Sequence, residues 1–215
     1  SLPLDAIPDE NLAIILETIC FAWQSLINGG SEILTSGDEK NVTALLEASL
    51  IHLCKTDPLF KGLVNAVARG VESRNFDSTK IELRPDLSIY LTDPKRPFPL
   101  IVECKLIDHP NGKNVSLYCS KGIARFVSGD YAWANREAIM LAYVRDGSTV
   151  QQSLTSHLVQ SAKSKPDPFQ TTSHPVARPE VHPVVHHSSH HRSFNYTSDG
   201  DSTEPGAIGL LHLWL

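Results

Sequence analysis

Two apolar runs, separated by a proline-rich stretch, constrain the fold of this chain most. The first run is Leu87–Leu91, the second covers residues 99–102, and prolines stand at positions 94, 97 and 99. This pattern predicts two strands joined by a turn. The second run is almost continuously apolar, which is typical of a central strand covered on both faces. We therefore expect a sheet buried between layers of helices.

Charged residues stand where the two predicted strands begin and end. Asp86 precedes the first strand, and Glu103 and Lys105 follow the second run. Residues two positions apart on a strand point to the same face, so Glu103 and Lys105 share a face. Pairing of the strands would bring the Asp86 carboxylate close to Glu103. Two carboxylates are typical Mg²⁺ ligands, and a nearby lysine can orient water or neutralise charge in a hydrolysis reaction.

These residues resemble the motif of a known nuclease superfamily. Pro85-Asp86, followed seventeen positions after Asp86 by Glu103-Cys104-Lys105, is similar to the signature of the PD-(D/E)XK nucleases, which include restriction endonucleases and anti-phage defence nucleases. The resemblance implies an α/β, restriction-endonuclease-like fold with a central mixed sheet flanked by helices. It also implies that Asp86, Glu103 and the backbone carbonyl of Cys104 bind Mg²⁺, with Mn²⁺ as a substitute, and that Lys105 is catalytic.

A purely structural interpretation competes with the nuclease hypothesis. Asp86 is also suited to a turn after Pro85, and Glu103 with Lys105 is also suited to a same-face ion pair on an edge strand. The apolarity of the second run weighs against this interpretation, because charges seldom stand beside a buried strand without a partner or a metal.

A helix ahead of this motif supplies a possible fourth site residue. Apolar residues spaced three and four apart after Ser36 predict an amphipathic helix, and Glu39 shares the face of Val42 and Leu46. The resemblance implies a glutamate on such a helix in the catalytic site. Ser36 with Glu39 is also a capping-box pattern, so metal-site support and helix capping both stay open for Glu39.

Basic residues after the motif are candidates for phosphate contacts. Residues 113–127 predict one helix or two short ones, on which Lys121 and Arg125 lie four apart on one face. We assign both to nucleic-acid binding, and Arg136 is a weaker extension of the patch. An ordinary solvated basic face is the alternative.

Six histidines crowd the last third of the chain. Neighbouring histidines on a strand point to opposite sides, and a zinc site needs fixed spacing with supporting partners. The pattern therefore favours a surface strand or loop over a soft-metal site, with Arg192 as a further candidate for phosphate contact. The six are His174, His182, His186, His187, His190 and His191.

The rest of the chain predicts a single domain over residues 1–215. It comprises an N-terminal helical part (9–71), a catalytic core (80–162), a Pro/Ser-rich loop (163–183) and a C-terminal strand pair (184–215). Within these parts, helices are expected at residues 9–28, from Glu39 to before Asp57, at 59–71 and at 148–162. Strands are expected at 80–83, 138–144, 184–194 and 207–215.

Composition limits the partners and the compartment. The formal net charge is −5, so DNA binding has to come from a local basic patch and a bridging metal. Residues 12–23 are interrupted by Glu17 and Thr18, no leader pattern is present, and the four cysteines are widely spaced. We expect a cytoplasmic Mg²⁺-dependent DNase without membrane contact, acting as a homodimer or beside a helicase or ATPase. A catalytically idle nucleic-acid-binding or assembly subunit is the alternative.

Overall fold

A mixed seven-stranded sheet forms the centre of the protein in the computed structural model, which describes residues 2–198 and 201–215. The order of strands across this sheet is β1-β2-β3-β4-β9-β6-β5, and β7 and β8 form a separate pair. The strands are β1 (Val64–Arg69), β2 (Leu87–Leu91), β3 (Leu100–Ile107), β4 (Glu137–Val144), β5 (Thr171–Ala177), β6 (Val185–His190), β7 (Tyr196–Ser198), β8 (Asp201–Thr203) and β9 (Ile208–Trp214).

The centre of the sheet is parallel and both sides are antiparallel. β4 runs parallel to β3 and to β9, whereas β1, β2 and β3 form an antiparallel meander. On the other side, β6 runs antiparallel to β9 and β5. The helical segment between β3 and β4 provides the crossover that two parallel neighbours require.

Helices cover both faces of the sheet. They are α1 (Asp9–Asn28), α2 (Ile33–Ser36), α3 (Glu39–Thr56), α4 (Pro58–Leu63), α5 (Val115–Tyr118), α6 (Ala124–Val127) and α7 (Ser156–Ser161), with π-helical turns at Cys119–Ile123 and Val150–Thr155. α1, α3 and α4 pack on one face, and the helical segments 115–127 and 150–161 pack on the other. The predicted α/β class with a central mixed sheet is therefore confirmed.

The two apolar cores follow the alternation of side chains along β3. Val102, Cys104 and Leu106 point to the core beneath α1 and α3. Ile101 and Ile107 point to the core beneath residues 115–127, and Glu103 has the same parity as these two. The functional face predicted for Glu103 and Lys105 is thus the face that carries the second helical layer.

The helix predicted for residues 59–71 is wrong in its second half, which forms β1. Val64 and Val67 are both buried although they stand three apart, a spacing that normally indicates a helix. The register of β1 against β2 shifts between Val64 and Ala66. This bulge turns both valines to the same side, so the strand has the spacing of buried residues that a helix would have.

Two further boundaries differ from the sequence prediction. Residues 80–83 form no strand, and Leu83 makes only an isolated bridge with Ser73. The predicted loop 163–183 contains β5, an edge strand with two register irregularities and Pro175 inside it. Edge strands tolerate proline and irregular pairing, and for this reason the segment lacks the usual strand pattern.

The first helix is long and apolar enough, by length and composition alone, to cross a membrane. Glu17 and Thr18, which interrupt residues 12–23 and predicted that no stretch could span a bilayer, do not take the whole helix below this criterion. In the folded chain, Leu12, Ile15, Leu16 and Ile19 are buried against the rest of the first core.

Candidate active site

The candidate site lies beside the first residue of β2, where β3 continues with its β2-side edge open while β4 still pairs with its other edge. The last pair of the β2–β3 ladder is Leu87 with Val102, and β3 then extends to Ile107. Carboxylates accept the next two strand-edge N–H groups. Asp86 Oδ2 accepts from Cys104 N at 2.8 Å, and Glu39 Oε2 accepts from Leu106 N at 2.9 Å. The open edge of β3 therefore fixes the positions of Asp86 and Glu39.

The structure decides between the two interpretations of Glu39. The cap of α3 is Asp38, whose carboxylate accepts from Asn41 N at 2.8 Å. The capping-box alternative for Ser36 and Glu39 is therefore wrong. Glu39, the first residue of α3, is free to reach across to β3, as the helical periodicity predicted.

Lys105 lies at the centre of the carboxylates. Its Nζ is 2.8 Å from Glu103 Oε1, 3.3 Å from Glu39 Oε1 and 3.4 Å from Asp86 Oδ2, and it also donates to the carbonyl of Cys104. Burial by itself lowers the pKa of an amine, but the carboxylates of Glu103, Asp86 and Glu39 outweigh it and raise the pKa of Lys105. The amine is held as a cation.

Glu103 is the most deeply buried member of this cluster, with 1 % of its surface exposed. Burial, together with the negative charge of Asp86, raises the pKa of its carboxyl, although Lys105 and Arg125 oppose the shift. Its Oε2 is buried and has no hydrogen-bond partner within the described residues. Such an atom is rare in folded proteins and is a candidate position for a ligand.

The two basic residues predicted to bind nucleic acid occupy different positions. Arg125 Nη1 lies 3.3 Å from Glu103 Oε1 and donates to the hydroxyl of Tyr131, so it belongs to the cluster. Lys121 is exposed one turn earlier. Arg136 is exposed and donates to the carbonyl of Leu4 instead of extending the patch.

A π-helical turn brings the basic segment close to the sheet. The turn covers Cys119–Ile123, and π-turns occur often at functional sites. A Cβ at Gly122 would collide with Met140 of β4 and would lie 3.9 Å from Glu103 Cγ. The absence of a side chain at Gly122 therefore lets this turn pack closely on β4 beside Glu103, which Arg125 contacts from the next helical segment.

The predicted metal ligands form a donor set suited to a hard cation. No three His, Cys, Asp or Glu side chains within residues 2–198 and 201–215 are grouped so that they could hold one metal ion. The predicted Mg²⁺ ligands are only two side chains, the carboxylates of Asp86 and Glu103, together with the backbone carbonyl of Cys104. Mg²⁺ is commonly bound by one or two carboxylates together with water and substrate phosphate. The unpartnered Oε2 of Glu103 fits this chemistry.

Two residues of the histidine-rich segment, Ser188 and His190, belong to a second polar cluster that is buried inside the protein. The prediction of a surface strand or loop is wrong for His190, which lies on β6 and is fully buried, and for His182, which is also buried. Ser188 Oγ lies 2.8 Å from His190 Nε2 and 2.7 Å from His212 Nε2, and His212 Nδ1 lies 2.8 Å from the hydroxyl of Tyr118. Arg192 is buried as well, and it donates to backbone carbonyls instead of facing phosphate.

Sequence reasoning missed two residues that the structure places beside these clusters. Tyr131 contacts Arg125 from a loop whose position no periodicity specifies. His212 stands inside the apolar run 207–215, and a lone polar residue in a buried strand is the signal that it needs a hydrogen-bond partner.

Comparison with known proteins adds no relative. The chain matches no protein-family model, no curated protein and no solved structure.

Proposed function

We propose that this protein is a Mg²⁺-dependent phosphodiester hydrolase that cuts DNA. One observation carries the proposal: Asp86, Glu103, the Cys104 carbonyl and Lys105 converge at the open edge of β3. A buried carboxylate beside a second carboxylate and a lysine perturbs ionisation in the way that functional sites commonly do.

Each residue of the cluster has a role in this proposal. Asp86, Glu103 and the Cys104 carbonyl would hold Mg²⁺, which would supply charge neutralisation and an activated water. Lys105, held as a cation by three carboxylates, donates hydrogen bonds and stabilises the charge that develops on phosphate oxygens. Glu39 positions Lys105 and the edge of β3.

The same proposal gives the surface around the cluster a role in holding DNA. Arg125 contacts the cluster from the helical layer and Lys121 is exposed one turn earlier, and both would contact the phosphates that flank the cut. The net charge of −5 means that this local patch supplies the attraction for DNA. Action in the cytoplasm, in restriction or anti-phage defence, as a homodimer or beside a helicase or ATPase, rests on the motif resemblance alone.

One observation favours a second candidate function, a nucleic-acid-binding or assembly subunit that does not cut. Lys105 already contacts all three carboxylates, so the cluster satisfies much of its own charge without a metal. A cluster whose charges neutralise one another is also typical of an ion network that has a purely structural role.

Cleavage of DNA by the purified chain tests the proposal. Supercoiled plasmid and linear single- and double-stranded DNA are incubated with Mg²⁺, Mn²⁺ or EDTA, using wild type, Asp86→Asn and Lys105→Ala. Asp9→Asn and Lys163→Ala change one exposed carboxylate and one exposed amine outside the cluster and serve as matched controls. We expect metal-dependent cutting in wild type and in both controls, and a loss of at least about a hundredfold in both cluster variants.

The alternative outcome is equally informative. If wild type binds DNA but does not cut it with either metal, and the cluster variants bind equally well, the nuclease proposal is wrong and the non-cutting subunit replaces it.

A further inference from the structure

A cavity of about 530 Å³ adjoins the carboxylate cluster on the same face of the sheet. Pro85, which precedes Asp86, lines it, as do Ser88 and Ile101, which are two residues from Asp86 and Glu103 respectively. Tyr131 lines it too, and its hydroxyl accepts from Arg125 of the cluster. The cavity therefore lies beside the cluster, and Tyr131 lines the one and contacts the other.

Flat aromatic side chains supply much of the cavity wall. Tyr90, Phe98 and Trp133 line it and are only partly buried. Phe98 and Trp133 meet edge to face, with ring centroids 5.0 Å apart and planes at 63°, and Trp133 Nε1 donates to the carbonyl of Arg74 at 2.9 Å. These contacts fix the ring of Trp133, and a fixed aromatic face is the surface on which an unpaired nucleobase stacks.

Asn135 also lines the cavity, and its side chain carries a buried oxygen that lacks a partner. Asn135 is 2 % exposed, and its Nδ2 donates to the carbonyl of Pro99 at 2.7 Å, which fixes the orientation of the amide. Its Oδ1 is buried with no hydrogen-bond partner within the described chain. This acceptor requires an N–H donor, and the pairing edge of a nucleobase carries such donors.

We propose that this cavity binds one unstacked nucleobase of the strand held at the carboxylate cluster. The base stacks on Trp133 and donates an N–H to Asn135 Oδ1 while its phosphate reaches the cluster. The proposal rests on the proposed function and specifies its substrate, a strand that is single-stranded or locally unpaired near the cut. Apolar grooves lined by aromatic residues also bind proline-rich peptides. The unpartnered acceptor and the position beside the carboxylates favour the nucleobase.

Two short oligonucleotides test the base pocket. One is ordinary single-stranded DNA, and the other has the same backbone with abasic sites at its centre. Binding of fluorescein-labelled forms is followed by anisotropy in EDTA, and cutting is followed separately in Mg²⁺. The variants are Trp133→Ala, Trp133→Phe, which keeps an aromatic face, and Phe21→Ala, which removes an exposed aromatic ring of α1. Thermal unfolding checks that each variant is folded.

We expect wild type and Phe21→Ala to bind the ordinary strand about tenfold more tightly than the abasic strand. Trp133→Ala should bind both strands equally, and Trp133→Phe should recover most of the difference. If folded Trp133→Ala prefers the ordinary strand over the abasic strand as strongly as wild type does, the base pocket is wrong, even if metal-dependent cutting is observed. Displacement of the ordinary strand from Trp133 by a proline-rich peptide overturns it as well.

The two proposals can fail separately. Base-dependent binding through Trp133 without any cutting rejects the nuclease and leaves the base pocket standing. Cutting that is indifferent to the bases rejects the pocket and leaves the nuclease standing.

Discussion

Two buried polar clusters lie on the same face of the sheet and use opposite chemistry. Around Glu103 and Lys105, charged groups offset one another at the open edge of β3. Around His190 and His212, neutral groups form a chain of hydrogen bonds between β6 and β9. The helical segment 115–127 contributes to both, since Arg125 contacts Glu103 and Tyr118 contacts His212.

The neutral cluster has a single consistent arrangement of hydrogens. The carbonyl of Phe169 can only accept, so His190 Nδ1, at 2.8 Å, carries the hydrogen and His190 Nε2 accepts from Ser188. Ser188 then accepts from His212 Nε2, and the hydroxyl of Tyr118 donates to His212 Nδ1 at 2.8 Å in preference to the more distant carbonyl of Met140 at 3.1 Å. Every ring nitrogen in this chain of bonds has a partner. These two imidazoles therefore have no free nitrogen for a soft metal.

The difference between the clusters indicates which one serves function. A fully satisfied, neutral network stabilises one packing arrangement and needs no ligand. The charged cluster retains a buried carboxylate oxygen without a partner, keeps side chains that reach solvent and adjoins a cavity. These three features together make the charged cluster the better candidate for binding a ligand.

The largest expected effect is the removal of the central cation from the charged cluster. Lys105→Met should lower the free energy of unfolding by about 3–5 kcal/mol, because it leaves buried carboxylates without their counter-charge. Urea denaturation in EDTA measures the change. Lys163→Ala, at an exposed lysine, should be within about 0.5 kcal/mol of wild type.

A second substitution separates charge from packing at this position. In Lys105→Met the buried charge of Glu103 has lost its partner. Adding Glu103→Gln removes that charge, so part of the lost stability should return. Additive losses in the double variant would mean that the two side chains do not stabilise one another, and the comparison of the two clusters would then fail.

The neutral cluster should make stability sensitive to acid. Burial, as the main cause, lowers the pKa of His190 to about 4, and burial lowers the pKa of His212 as well. The unfolded chain binds a proton at His190 near pH 6.5, so it holds more protons than the folded protein between the two values. The free energy of unfolding therefore falls as the pH falls, by about 3 kcal/mol for His190 by pH 4.

A variant isolates this contribution from that of the carboxylates. Urea denaturation between about pH 7 and 4 should show a shallower loss of stability for His190→Asn than for wild type. His191→Asn, at the exposed neighbour, should keep the wild-type slope. Equal slopes for wild type and His190→Asn would show that His190 titrates normally in the folded protein.

The sequence predicted the centre of the fold because the centre obeys simple periodicities. β2, β3 and β4 are almost continuously apolar, and alternation along β3 alone places Glu103 and Lys105 on one face. Helical spacing likewise placed Glu39 toward the sheet. The rest depends on contacts between distant residues. The bulge in β1 gives this strand the spacing of a helix, and the polar residues of the edge strand β5 give it no strand pattern. The loop that carries Tyr131 and Asn135 has no hydrophobic periodicity.

The smallest expected effect concerns the exposed rim of the charged cluster. Lys121 makes no contribution to the buried charges, so we expect it to act only through DNA phosphate. Lys121→Ala should leave stability unchanged, weaken binding similarly for all DNA sequences, and reduce the slope of log affinity against log salt by about 1. His191→Ala, which removes an exposed imidazole beside the neutral cluster, is the matched control and should leave the slope unchanged. If the salt slope falls for His191→Ala and stays at the wild-type value for Lys121→Ala, DNA runs along the histidine strand and not past the carboxylates. That result would reverse the assignment of function between the two clusters.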